Sequence, residues 1–142
     1  MRNEVERLRI CGNMNREFCN RIGVAIIRNS SAKAIETMLS SSDILLFPYQ
    51  FDTEPFSLQS SAAKGAYGLR YEVDQDIIID LPDEATRLQF SFLRRCVVCL
   101  QTSDGKKIVL GSADYPAQVS IRPYLNKAIL HLKHISLTPH ML

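Results

Sequence analysis

The sequence predicts an α+β fold: mainly antiparallel β-sheet with two or three short helices, in a single compact domain over residues 1–142. Three observations carry this. The run from Leu69 to Leu81 alternates apolar and polar side chains with period two, the pattern of a half-buried strand. Val97 to Thr102 and Lys107 to Leu110 are β-branched and apolar and flank Asp104-Gly105, a hairpin signal. Around them lie short stretches with apolar residues at helical spacing and capping residues at their starts. At this length a core needs no disulfide or metal to hold it. The 46% apolar and 23% charged fractions are globular values, which exclude wholesale disorder, collagen and coiled coil.

Residues 1–65 read as mixed helix and strand. Leu8 and Ile10 suggest a short strand. Asn15 to Arg28 fits either a helix through Phe18, Ile22 and Ile26 or a strand ending through Ile22, Val24 and Ile26. Ser31 to Ser40 predicts a short helix, with Ala32, Ile35 and Leu39 on one side and Ser30 or Ser31 as cap. Ile44 to Phe51 predicts a strand that Pro48 interrupts, hence one near a sheet edge. Residues 52–68, rich in serine with glycine and alanine, read as a loop.

Residues 66–142 read as strand, short helix, hairpin and terminal strands. In the first strand Tyr71, Val73, Gln75, Ile77, Ile79 and Leu81 share one face. Glu72, Asp74, Asp76 and Asp80 share the other, with Ile78 the exception. Pro82 to Arg95 has acids at its front, two arginines at its back and Ala85, Leu88 and Phe92 at helical spacing. That polarity matches a helix dipole; a strand through Leu88, Phe90 and Phe92 is the rival. Asp104-Gly105 as a two-residue type I′ loop places Leu100 opposite Val109 and Cys99 opposite Leu110. Both faces are apolar there, which suggests a central position. Gln118 to Ile121 and Ala128 to Leu137 predict the last strands, although Leu125, Ile129, Leu132 and Ile135 also carry a helical period.

Net charge is +2, from 17 basic and 15 acidic residues, too little for a protein bound along a phosphate backbone. No nucleic-acid partner is expected. Phe47, Tyr49, Phe51 and Phe56 have no Lys or Arg among them, unlike a base-stacking platform. The N-terminal run mixes both charge signs without the apolar core of a signal peptide. The apolar stretches Val24–Ile27 and Ile44–Phe47 are far shorter than a membrane helix. The expectation is a protein that is cytoplasmic when synthesised, with no membrane partner.

The chemistry-bearing residues do not gather into a known site. Cys11, Cys19, Cys96 and Cys99 read as reduced thiols. Cys96-Val-Val-Cys99 lies in a strand-like run, where i and i+3 point to opposite faces and cannot converge on a metal. His131, His134 and His140 crowd the C-terminus, but no Glu follows Glu84 to complete a His-Glu-x-x-His motif. Glu72, Asp74 and Asp76 spread along one strand face instead of closing round a cation. No P-loop or Gly-x-Ser-x-Gly occurs, and the serine clusters sit in apparent turns and caps. The expectation is no catalytic residue, no metal and no cofactor. An interaction surface is predicted instead: the acidic Glu72, Asp74 and Asp76 on one side, and Arg94, Arg95, Lys106 and Lys107 as their counterpart, on this chain or a neighbouring copy.

The stretch from Leu69 to Val119 carries a resemblance. It joins an alternating strand, a proline-started connector, Val97-Val98-Cys99-Leu100-Gln101-Thr102-Ser103-Asp104-Gly105, and Lys107-Ile108-Val109-Leu110-Gly111-Ser112-Ala113-Asp114-Tyr115-Pro116-Ala117. This resembles small prophage-encoded virion proteins in which a hairpin closes on Asp-Gly and Leu-Gly and a Tyr-Pro loop leads to the last strands. The resemblance implies a tail or head–tail joining component, located in the virion, that works by self-association or by binding other virion proteins and has no active site. The function expected first is therefore a non-enzymatic structural or assembly protein of a phage-like particle. A small ligand-binding or regulatory domain with a pocket near Tyr49, Phe51 and Phe56 is the alternative. A hydrolase in which His131 or His134 meets a carboxylate or thiol in the fold comes third.

Overall fold

The computed structural model describes residues 18–41, 43–65, 68–112 and 115–136. The strand expected at Leu8 and Ile10, Cys11 and His140 lie outside them. Eight strands form one antiparallel sheet: β1 (Cys19–Ile26), β2 (Tyr49–Phe56), β3 (Ser60–Gly65), β4 (Gly68–Asp80), β5 (Arg94–Thr102), β6 (Lys107–Leu110), β7 (Ala117–Tyr124) and β8 (Lys127–Ser136). Two helices, α1 (Ala32–Ser41) and α2 (Glu84–Gln89), accompany them. The strand order β1-β2-β4-β8-β7-β5 returns to β1 through a β1–β5 pairing, so six strands close into a barrel. β3 extends the edge of β4 beside β2, and β6 extends the edge of β5 beside β7.

Period-two alternation fills the barrel. Ile22, Val24 and Ile26 of β1 point inward, as do Val73, Ile77 and Ile79 of β4, Cys96, Val98 and Leu100 of β5, and Ala128, Leu130 and Leu132 of β8. Each is buried, and a core of this kind is the main favourable contribution to stability. A second apolar layer lies outside the barrel over β1 and β5. Ile35 and Met38 of α1, with Ile44 and Phe47, cover Ala25, Val97 and Cys99. This is why both faces of β5 read as apolar. Close approach of the Ile44–Phe47 segment needs Gly23, since a Cβ there would lie 2.8 Å from Ile44 Cγ1 and 3.0 Å from Phe47 Cβ.

Local signals set the helix starts. The Ala34 N–H donates to Ser31 Oγ at 3.1 Å, capping α1. The Thr86 N–H donates to Asp83 Oδ1 at 2.9 Å, capping α2. Helix α2 ends after six residues, and Arg94 and Arg95 begin β5 instead of closing the helix. The side chain that ends it, Phe90, turns into the barrel mouth and is fully buried. Its ring meets Tyr49 and Phe51 edge-on, with centroids 5.0 and 6.2 Å away. Its carbonyl accepts the Ile121 N–H at 2.8 Å. Phe90 is the plug of this end.

Several expectations are corrected. Of the two readings left open for Asn15 to Arg28, the described residues take the strand, because β1 pairs along both edges, with β2 and with β5. Pro48 precedes β2, whose start follows a 3-10 turn at Ile44–Leu46. β2 sits between β1 and β4 and is no edge strand. Residues 52–68 are mostly strand, completing β2 and forming β3, and pairing with β4 supplies the order that their composition does not. The β5–β6 hairpin pairs Leu100 with Ile108 and Cys99 with Val109, one residue off the expected register. Its loop has three residues. The Gly105 N–H donates to the Thr102 carbonyl at 3.1 Å and the Thr102 N–H to the Lys106 carbonyl at 2.8 Å. Gly105 has φ +95°, whereas Asp104 is not at positive φ. This is a type I turn with a left-handed glycine, not type I′.

Candidate functional site

The outer wall of β4, β8 and β7 carries the acidic row, and antiparallel register decides what it faces. Asp74, Asp76 and Asp80 lie opposite Lys133, His131 and Lys127. Lys127 Nζ donates to Asp80 Oδ1 at 3.0 Å. Arg122 of β7 reaches Asp76 Oδ2 at 3.3 Å. His131 bridges two acids, Nδ1 to Asp76 Oδ1 at 2.7 Å and Nε2 to Asp74 Oδ1 at 3.0 Å. The hydrogen bond from His131 holds the Asp76 carboxyl below its ordinary value, with Arg122 adding to the effect. Glu72 pairs with Arg70 on its own strand, at 3.0 Å. The acidic row is thus neutralised largely by cations of its own sheet.

The basic residues expected as its counterpart are placed elsewhere and do not form one patch. Arg94 donates from Nε to the Gln89 carbonyl at 2.6 Å, and its guanidinium lies 5.2 Å over the Phe92 ring. Arg95 is the neighbouring outward residue of β5. Lys107 pairs with Gln101, six residues or roughly 20 Å along the strand from Arg95. Lys106 directly follows the three-residue hairpin loop. There the Thr102 hydroxyl donates to Asp104, and the Lys106 N–H donates to the Thr102 oxygen at 2.9 Å. The Thr102 hydrogen bond lowers the Asp104 pKa. Asp104 and Gly105 shape the turn and touch nothing beyond it that suggests chemistry.

The hydrolase expectation meets a specific obstacle. Ser120, His131 and Asp76 fall in one row across β7, β8 and β4, the residue types of a nucleophilic triad. Both nitrogens of His131 are bonded to carboxylates. Neither is left to take a proton from Ser120 as a general base must. The wall is also an open surface that excludes no water. Its geometry clamps strands together.

The thiols are separated. Cys96 points into the barrel and Cys99 to the outer layer beneath α1. Burial pushes the Cys96 thiol up to about 12 and the Cys99 thiol up to about 11, so neither is a nucleophile at neutral pH. Among the described residues no three His, Cys, Asp or Glu side chains come together as a metal site, and no helix is long and apolar enough to cross a membrane.

Two surface clefts are lined by described residues. One, of about 410 Å³, opens between Tyr49, Phe51, Asp52, Asp80, Leu81 and Asp83 beside the plugged end; Tyr49 and Phe51 are residues of the expected pocket, and Phe56 is not in its lining. The other, of about 440 Å³, lies between Arg95, Gln118, Lys133, His134, Tyr115 and Ile135. The plugged end also exposes apolar side chains, several of which the sequence assigns to strand or helix faces. Leu81 follows β4, Leu88, Phe92 and Leu93 flank the plug, and Tyr124 and Leu125 turn from β7 to β8. Leu125 is 87% exposed and has φ 55°, the one non-glycine residue at positive φ among those described. The signal available in the sequence was a leucine where a two-residue turn favours Gly or Asn. In comparisons with protein-family models, with curated proteins and with solved structures, nothing matches this chain.

Proposed function

We propose that the chain is a non-enzymatic assembly module, a component of a phage-like particle, that works through protein–protein contacts at the plugged end of the barrel. The supporting observation is Leu125. A leucine in the left-handed region costs roughly 1–2 kcal/mol relative to glycine, and this one recovers nothing by burial because it is almost wholly exposed. Contact with another molecule is the remaining benefit for such a residue. Leu81, Leu88, Phe92, Leu93 and Tyr124 extend an apolar surface on the segments of that same end, as interfaces do. The acidic wall, already neutralised within the sheet, is not part of this reading.

Sedimentation velocity over a concentration series, with negative-stain microscopy, tests it. The expected result is concentration-dependent oligomers or rings. Leu125→Gly should weaken association while raising the melting temperature, since it relieves backbone strain. A strict monomer at all concentrations, or a Leu125→Gly variant that associates normally, would overturn the proposal.

A further inference from the structure

We propose that the cleft between Arg95 and Lys133 binds a small organic phosphate, a site that goes beyond the assembly reading and does not depend on it. The register builds it. Arg95 of β5 is opposite Gln118 of β7, and Gln118 is opposite Lys133 of β8. All three side chains leave the same face of the barrel wall. At about 4.8 Å per strand, the two cations stand roughly 10 Å apart across Gln118, and both are long enough to reach one anion between them.

Charge distinguishes this pair from the other cations of the wall. Arg122, Lys127 and His131 each lie against a carboxylate. Arg95 and Lys133 have no ion pair among the described residues. Asp74, across from Lys133, is bonded to His131 through Oδ1, and among the described residues no Asp or Glu lines the cleft. A forked guanidinium and an ammonium with an amide between them suit a phosphate, which accepts several hydrogen bonds at once. Tyr115, Pro116 and Ile135 form the rest of the wall. Tyr115 and Ile135 are exposed, giving a flat apolar surface for the body that carries the phosphate. His134 also lines the cleft, and its Nε2 lies 3.3 Å from the Tyr115 carbonyl oxygen, which ties β8 to the Tyr115 segment. A volume of about 440 Å³ is that of a small-molecule site.

The test is an amide-resolved NMR titration at low salt with three probes: phenyl phosphate, inorganic phosphate and phenol. The expected result is shifts at Gln118, Lys133 and Ile135 with phenyl phosphate, weaker ones with inorganic phosphate, and none with phenol. Arg95→Gln and Lys133→Gln should each weaken phenyl phosphate binding about tenfold, while their spectra show the fold intact. Shifts confined to other parts of the barrel, equal binding of phenol, no response to any probe, or variants that bind as the parent does would each overturn the proposal.

Discussion

Replacing Phe90 with alanine tests the barrel architecture most directly. The side chain is 0% exposed, fills the mouth of the barrel and meets Tyr49 and Phe51 edge-on. Truncating a buried phenylalanine costs about 3–5 kcal/mol, depending on how far the site can collapse. Two edge-to-face contacts, each adding about 0.5–1.5 kcal/mol beyond area, keep this site from the lower end of that range. The Ile121–Phe90 backbone bond fixes the Phe90 backbone at the mouth, so truncating the ring leaves a gap there. A loss of about 4 kcal/mol is expected, a large share of the 5–15 kcal/mol typical of a domain. For a chain of this length that is a fall of roughly 12–16 °C in Tm. The chain has no tryptophan, so urea unfolding is followed by far-UV circular dichroism, with an unchanged m-value expected. Phe92→Ala is the control. That ring is 65% exposed and shares only a surface contact with Arg94, so its loss should cost no more than about 1 kcal/mol. A Phe90→Ala loss below about 1.5 kcal/mol, well under the range for a buried phenylalanine, would refute the plug.

Three further outcomes are expected. Gly105→Val should cost about 1–2 kcal/mol from its φ of +95° alone, because no atom lies within 4 Å of the new Cβ; an unchanged melting temperature would show that the loop readily adopts another turn. With Cys11 replaced by serine, the native protein should show no fast-reacting thiol toward a disulfide reagent at pH 8, since Cys19, Cys96 and Cys99 are buried; unfolding in denaturant should release all three. Asp76, depressed below 3.8 in the folded state, contributes stability that is present above its ordinary pKa and lost as pH falls through the folded value. The Asp76→Asn variant should therefore lose less stability than the parent on acidification below pH 4. The difference is at most about 1 kcal/mol, because the pair is exposed, and identical acid profiles would refute it.

Elements governed by local pattern were legible in the sequence, and those governed by register and closure were not. The alternation of Leu69 to Leu81 predicts β4, and Ser31 predicts the start of α1, because one strand face and one cap are local matters. The Asp104-Gly105 signal locates the β5–β6 hairpin but misplaces its register, since a three-residue loop with one left-handed glycine uses the same dipeptide as a two-residue loop. β3 has the composition of a loop and becomes a strand only through β4. Nothing in the spacing of Leu88, Phe90 and Phe92 marks Phe90 as the inward ring, which depends on where the chain crosses the barrel. Closure itself rests on β1 meeting β5 from Ile26 opposite Cys96 to Cys19 opposite Thr102, pairs far apart in sequence. The charge network had a readable signal that went unused. On β8, Lys127, His131 and Lys133 share a face and run in reverse order to Asp80, Asp76 and Asp74. Within the sheet the acidic residues meet that strand, while Arg94, Arg95, Lys106 and Lys107 lie elsewhere on the barrel.

The ring is not equally fastened around its circumference. β4 meets β8 over ten residue pairs, yet it meets β2 at only Thr53 and Ile79, and β5 meets β7 over three pairs. Both thin joints have one origin: a strand whose edge is divided between two neighbours. Pulled or thermally agitated, the wall should part first along these two lines, releasing β1, β2 and β5 as one leaf and β4, β7 and β8 as the other. Deuterium should accordingly enter at Thr53 and Arg94 long before it reaches the middle of β8.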